Sequence, residues 1–201
     1  MPSPPVASFS RVLVAGVTGS GKTTFARRLA TAWDLRHVEI DALFHGPDWT
    51  PRTSFLDDVR AFAAEERWVT EWQYTSKGTS EILAPRAQLA IWLDYPYRVV
   101  RARLIRRTFG RAVLRTELWN GNRERGLVNM FHPDPHQNIL AWQTKTLGHW
   151  TERMPGLRKQ YPHLRVMRFG HPREAERWLR QLSSSAEGAS TAPPKRRSRD
   201  R

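Results

Sequence analysis

Three observations predict an α/β fold with a parallel sheet for this 201-residue chain. Short apolar runs of strand length alternate with longer segments of helical period. The first run, RVLVAG, passes through a glycine turn straight into an amphipathic helix. A later run, QLAIWLD, is apolar at nearly every position, as a strand covered on both faces requires. About five parallel strands, joined by right-handed helical crossovers and covered by helices on both faces, satisfy all three.

Val12, Leu13 and Val14 form the first buried strand, and Phe25, Leu29 and Trp33 recur every four residues on one face of the helix that follows. HVEID (37–41) reads as a second strand ending in an acid. Residues 53–66, after Pro51, read as a helix, RWVTEW (67–72) as the third strand and QLAIWLD (88–94) as the fourth. Residues 97–107 look helical, with Pro96 near their start. One longer helix is expected over 136–154, with Ile139, Leu140, Leu147, Trp150 and Met154 as its apolar stripe. LRVMRF (164–169) is the fifth strand, and Pro172 opens a last helix that buries Ala175, Trp178, Leu179 and Leu182. Beyond residue 183 the chain turns to Ser, Ala, Gly, Pro and Arg. This predicts a folded domain over 1–183 and a disordered basic tail over 184–201.

With 39% hydrophobic residues and nine Trp, the chain has the material for one globular core. The absence of Cys excludes disulfide frameworks, thiolate zinc sites and cysteine nucleophiles. No apolar run has the length of a signal peptide or a membrane span, so a soluble, cytoplasmic protein is expected. The formal net charge of +14 implies anionic partners. Part of that charge lies in the tail (Lys195, Arg196, Arg197, Arg199, Arg201), a candidate for weak nucleic-acid contact. Another part lies between Arg98 and Arg125.

Gly16-Val17-Thr18-Gly19-Ser20-Gly21-Lys22-Thr23 matches G-x-x-x-x-G-K-S/T in full, between a buried strand and an amphipathic helix. Phosphate oxygens are met by several inward-pointing N–H groups. Glycine permits the tight turn, and the helix N-terminus adds partial positive charge. Lys22 is expected to reach β- and γ-phosphates, and Thr23 to ligate Mg²⁺, with Thr18, Ser20 and Thr24 alongside. ATP and Mg²⁺ are the implied cofactors.

Ligands of open parallel sheets sit at the carboxyl ends of the strands, where Asp41, Glu71 and Asp94 fall. Asp41 is the candidate general base, or an acid behind the metal. Glu71 is the candidate metal acid, and Asp94 a structural residue capping the next helix. Arg103 and Arg107 are one helical turn apart in an arginine-dense segment, which suits charge stabilisation on a transferring phosphoryl group. Trp49, Trp72, Tyr74 and Trp119 could stack on a base or line an acceptor pocket, although packing explains each alone. His45 lies near Asp41, and His132 and His136 read as loop residues rather than zinc ligands.

The phosphate loop, IDALFHGPDWTP, RWVTEWQY, IWLDYPYRVVRARLIRR, LWNGNRE and FGHPREAERWL together resemble the adenylate-kinase-like P-loop kinases. The resemblance is closest to the bacterial proteins labelled topology modulation proteins, and it covers about residues 10–182. It implies a P-loop NTPase fold of the nucleoside-monophosphate-kinase type and phosphate contacts from Arg103 and Arg107. It also implies a mobile Arg-rich lid over about 108–125, with Arg111, Arg115 and Arg123 as further candidates, and a Gly170-His171-Pro172 loop against the adenine. Relatives carry Asp-Gly-Asn-Tyr where this chain has Glu71-Trp72-Gln73-Tyr74, which would set indole bulk beside the phosphates. The expected activity is ATP- and Mg²⁺-dependent phosphoryl transfer to a small acceptor. The alternative is a nucleic-acid-associated ATP-binding regulator or ATPase.

Overall fold

The computed structural model describes residues 9–114, 119–122 and 138–190. Five strands form one parallel sheet: β1 (Arg11–Gly16), β2 (Arg36–Val38), β3 (Trp68–Glu71), β4 (Leu89–Leu93) and β5 (Arg165–Phe169), in the order β2-β3-β1-β4-β5. The longest strand, β1, is central, and strand order reverses around it. Its carboxyl end is therefore where an open α/β sheet leaves a crevice.

The period-two alternation of β1 divides the core. Val12 and Val14 face a cluster with Phe25, Leu29 and Trp33 of α1 (Lys22–Trp33) and with Leu179 and Leu182 of α8 (Pro172–Ser190). Leu13 and Ala15 face the opposite cluster. It contains Phe55, Val59 and Phe62 of α3 (Phe55–Ala63), Leu83 of α4 (Thr79–Leu83), and Trp150, Met154 and Leu157 of α7 (His149–Gln160). Helices thus cover both faces, as the sequence predicts.

Several boundaries differ from the sequence reading. β2 stops at Val38, and Asp41 does not end a strand: it sits in the first turn of a short helix, α2 (Ile40–Phe44), where a carboxylate suits the helix dipole. The helix expected over 136–154 is two helices, α6 (Ile139–Lys145) and α7, separated at Thr146-Leu147-Gly148. The Asn138 side chain caps α6 by accepting from Leu140 N and Ala141 N, each at 3.0 Å. Leu147, assigned to the stripe, falls in the break and is 36% exposed. α5 spans Tyr97–Leu114, so the start of the expected lid continues a helix. α8 extends past residue 183, to Ser190. Arg115, Arg123, His132, His136 and the basic residues of 191–201 lie outside the described residues.

Candidate functional site

β1 delivers the loop 16–23 to the crevice. Gly19 and Gly21 have φ of 87° and 91°, the left-handed region that side chains disfavour. A Cβ on Gly19 would lie 2.5 Å from Val100 O, so α5 approaches the loop closely. Ser20 N donates to Val17 O (3.1 Å), closing the turn, and α1 begins at Lys22 with no acid in its first turn. Its N-terminal charge therefore has no internal counter-charge there. Thr24 is exposed on that turn, and Ser20 is buried with no hydrogen-bond partner for its hydroxyl among the described residues.

Lys22 is 8% exposed, and its Nζ donates to Val17 O at 3.3 Å. Burial drives the amine down from 10.5 to about 8. Asp41 and Glu71 pull it back, and Arg107 pushes it further down. Glu71 ends β3 and is 1% exposed, with His37 Nε2 at 3.1 Å from Oε1 and Ile40 N donating to Oε2 at 3.3 Å. Burial alone would raise its carboxyl. The hydrogen bond and charge of His37, with further bonds from its own backbone and Thr23, outweigh burial and hold it below the usual range. Glu71 is thus an ionised acid that grips the Thr23 hydroxyl.

Asp41 accepts a hydrogen bond from Tyr74 Oη at 2.7 Å, and the same oxygen lies 3.1 Å from His45 Nε2. Burial, then the Asp41 charge, raise the Tyr74 phenol, so it stays a donor at every physiological pH. Burial lowers His45 against the pull of Asp41. Segment 119–122 closes over this group. The Trp119 ring stacks on His45 with centroids 6.2 Å apart, and its Nε1 donates to Glu39 Oε2 at 2.7 Å. Asn122 accepts from Trp49 N (3.0 Å) and donates to Gly46 O (2.8 Å). Trp49 meets His45 edge-on.

Arg103 Nη1 donates to Ser20 O at 3.2 Å while its guanidinium lies over the Tyr95 ring. Arg107, one turn on, is close enough to act on Lys22. The structure therefore gathers Lys22, Thr23, Glu71, Asp41, Arg103 and Arg107 around one loop. Asp94 is engaged by Arg168, whose Nε donates to it at 2.8 Å from β5. His171 Nδ1 accepts from Arg173 N at 3.1 Å, at the start of α8. Trp72 does not crowd the loop. It is fully buried in the core, 5.1 Å from the Trp150 ring, with Nε1 on Ser80 Oγ at 3.1 Å. A cavity of about 330 Å³ adjoins the loop at Val17, with Trp92, Asp94, Tyr97, Trp150 and Glu152 in its walls. Asp41 does not line it, so the reacting groups, not this cavity, define the candidate site.

The sequence reading gave no role to His37, Glu39, Asn122 or Gln143. Gln143 did carry a signal: it is four residues after Ile139 and three after Leu140, hence a polar residue at helical spacing from two apolar ones.

No protein-family model matches the chain, and no curated protein sequence matches it. Among solved structures it resembles a shikimate kinase from Acinetobacter baumannii in complex with shikimate, at 15% identity over 92% of this chain and 97% of that one, TM-score 0.50. A gluconokinase from Sinorhizobium meliloti 1021 is 20% identical over 90% and 97% of the two chains, TM-score 0.46. A sugar kinase from Janibacter sp. HTCC2649 is 23% identical over 92% and 96%, TM-score 0.45. The narrower likeness to topology modulation proteins rests on sequence motifs alone. What the chain shares with the shikimate kinase is the fold: a five-stranded parallel sheet, covered on both faces, of the P-loop kinase type.

Proposed function

We propose that the protein transfers a phosphoryl group from ATP, with Mg²⁺, to a hydroxyl or phosphate of a small-molecule acceptor. The observation that carries this reading is Lys22: a buried amine, depressed to about 8, whose hydrogen bond goes to a neutral carbonyl in a glycine loop. An anion at the loop supplies the contact charge it lacks, and triphosphate oxygens do so while engaging the loop N–H groups.

The donor set fits Mg²⁺. Among the described residues no three His, Asp or Glu side chains converge on one point. Mg²⁺ is commonly held by few protein ligands, the rest being water and phosphate. Thr23 Oγ would hold it, with Glu71 fixing that hydroxyl. Bound there, the ion neutralises charge on the phosphate oxygens. Lys22 and the loop orient the donor. Asp41, steadied by Tyr74, takes the proton from the acceptor hydroxyl as its oxygen bonds to the γ-phosphorus and the bond to ADP breaks. Arg103 and Arg107 stabilise charge on the transferred group. The shared kinase fold is compatible with this reading and does not choose the acceptor.

The test is calorimetric binding of ATP·Mg²⁺, followed by ADP release over an acceptor panel with mass detection of the product. Binding, transfer to one acceptor class, and loss of both in Lys22→Ala are expected. ATP affinity unchanged in Lys22→Ala, or no transfer to any acceptor despite binding, refutes the kinase reading.

A further inference from the structure

We infer that Gln143 is a positioning residue for the phosphate loop: it braces the loop's outer rim from α6 and keeps the loop N–H groups turned inward. The inference rests on the nucleotide-binding reading of that loop.

Gln143 is fully buried, and its Nε2 donates to Thr18 O at 2.7 Å. The Thr18 carbonyl and the Gly19 N–H belong to one trans peptide plane and point in opposite directions. Holding the oxygen outward therefore aims the Gly19 N–H at the concave side. Two further side chains hold loop carbonyls: Arg103 donates to Ser20 O (3.2 Å) and Lys22 to Val17 O (3.3 Å). Under the proposed function Lys22 turns to phosphate when nucleotide binds, and Arg103 shares its charge with phosphate. Gln143 is the neutral donor among the three, and an incoming anion gives it no reason to move.

Its own position is fixed. Asn138 caps α6, and Arg101 of α5 donates to Leu140 O at 2.8 Å, joining the two helices. The fit is close: a Cβ on Gly19 would lie 3.2 Å from Gln143 Nε2. Packing does not explain the amide, because its Oε1 is buried with no hydrogen-bond partner among the described residues, which destabilises the fold relative to Leu or Met. The donor half of the amide is what the position uses.

The experiment compares wild type with Gln143→Leu and Gln143→Met by melting temperature, backbone ¹⁵N order parameters of residues 18–21 without ligand, and calorimetric affinity for Mg·ADP. Both variants should melt no lower than wild type. Loop order parameters should fall from the rigid range toward about 0.6. Mg·ADP should bind about fivefold more weakly, the loss of one hydrogen bond's worth of loop order. A loop as ordered as wild type, with unchanged Mg·ADP affinity, overturns the inference. A melting temperature that drops in step with affinity in both variants also overturns it, since the role would then be packing. If Gln143→Leu fails to fold, Gln143→Met carries the comparison. If wild type does not bind Mg·ADP, the nucleotide reading has failed, while the ligand-free order parameters still decide whether Gln143 braces the loop.

Discussion

Replacing Lys22 by Met should make the ligand-free protein more stable while removing its affinity for ATP. The amine is 8% exposed and its pKa falls from 10.5 to about 8, mainly through burial. That gap corresponds to ~3 kcal/mol by which the buried ammonium disfavours the fold. Below about pH 8 the amine is protonated in both folded and unfolded chains, and the whole penalty applies. Between about 8 and 10.5 the unfolded chain still holds a proton that the folded chain has released, so stability rises with pH. Above 10.5 both forms are neutral and the penalty is gone. Met fills a similar volume without charge. Urea unfolding of both proteins at several pH values between 6 and about 11 measures the difference directly, because the other titrating groups are common to both chains. The variant should be more stable by up to ~3 kcal/mol at pH 7, and its advantage should shrink across the Lys22 titration. An equal or less stable variant at pH 7, or an advantage independent of pH, would refute this account of Lys22.

Asp41→Asn should lower turnover about 10²–10⁴-fold with Mg·ADP affinity nearly unchanged, since the group acts on the acceptor proton. Steady-state kinetics beside calorimetry checks this, and wild-type turnover would remove Asp41 as the base. Arg103→Ala and Arg107→Ala should each slow transfer by the equivalent of ~3–4 kcal/mol, against almost nothing for a solvated charge. Near-wild-type turnover in both, at unchanged melting temperature, would return the arginines to the surface. Trp72→Ala should destabilise by ~3–5 kcal/mol, because the indole is fully buried against Trp150 and Ser80. The protein that remains folded should bind Mg·ADP as wild type does. Weakened binding without lost stability would put Trp72 at the loop after all.

The fold was legible because its signals are local. The glycines at 16, 19 and 21 name a turn that few other residues can make, and the uninterrupted apolar run of β4 demands cover on both faces. The errors fall where local signals agree with two structures. Ile139, Leu140, Trp150 and Met154 keep helical spacing across 146–148, so the stripe cannot reveal that the chain turns between α6 and α7. Asp41 follows Val38-Glu39-Ile40, an alternation that suits a strand end as well as the approach to a helix. Trp72 lies next to a loop-facing acid in sequence, yet successive residues leave a strand on opposite faces, and that sends its indole into the core. The Asp41–Tyr74–His45 contacts and the Thr18–Gln143 contact span 29 to 125 residues, beyond the reach of any sequence period.

The electrostatics of the site favour an anionic ligand. Arg107 and Lys22 repel each other in a partly desolvated space. Asp41 and Glu71 attract the amine but are themselves engaged, by Tyr74 and by His37 and Thr23. α1 presents its positive end to the same space with no acid in its first turn. A polyanion relieves all three at once, raising the Lys22 pKa as it binds. The reciprocal effect on ligand affinity follows from linkage: an amine already neutral above about pH 8 must take up a proton to gain that contact. Mg·ADP affinity should therefore fall as pH rises through about 8 in wild type, and an affinity independent of pH across that range would refute this account of Lys22.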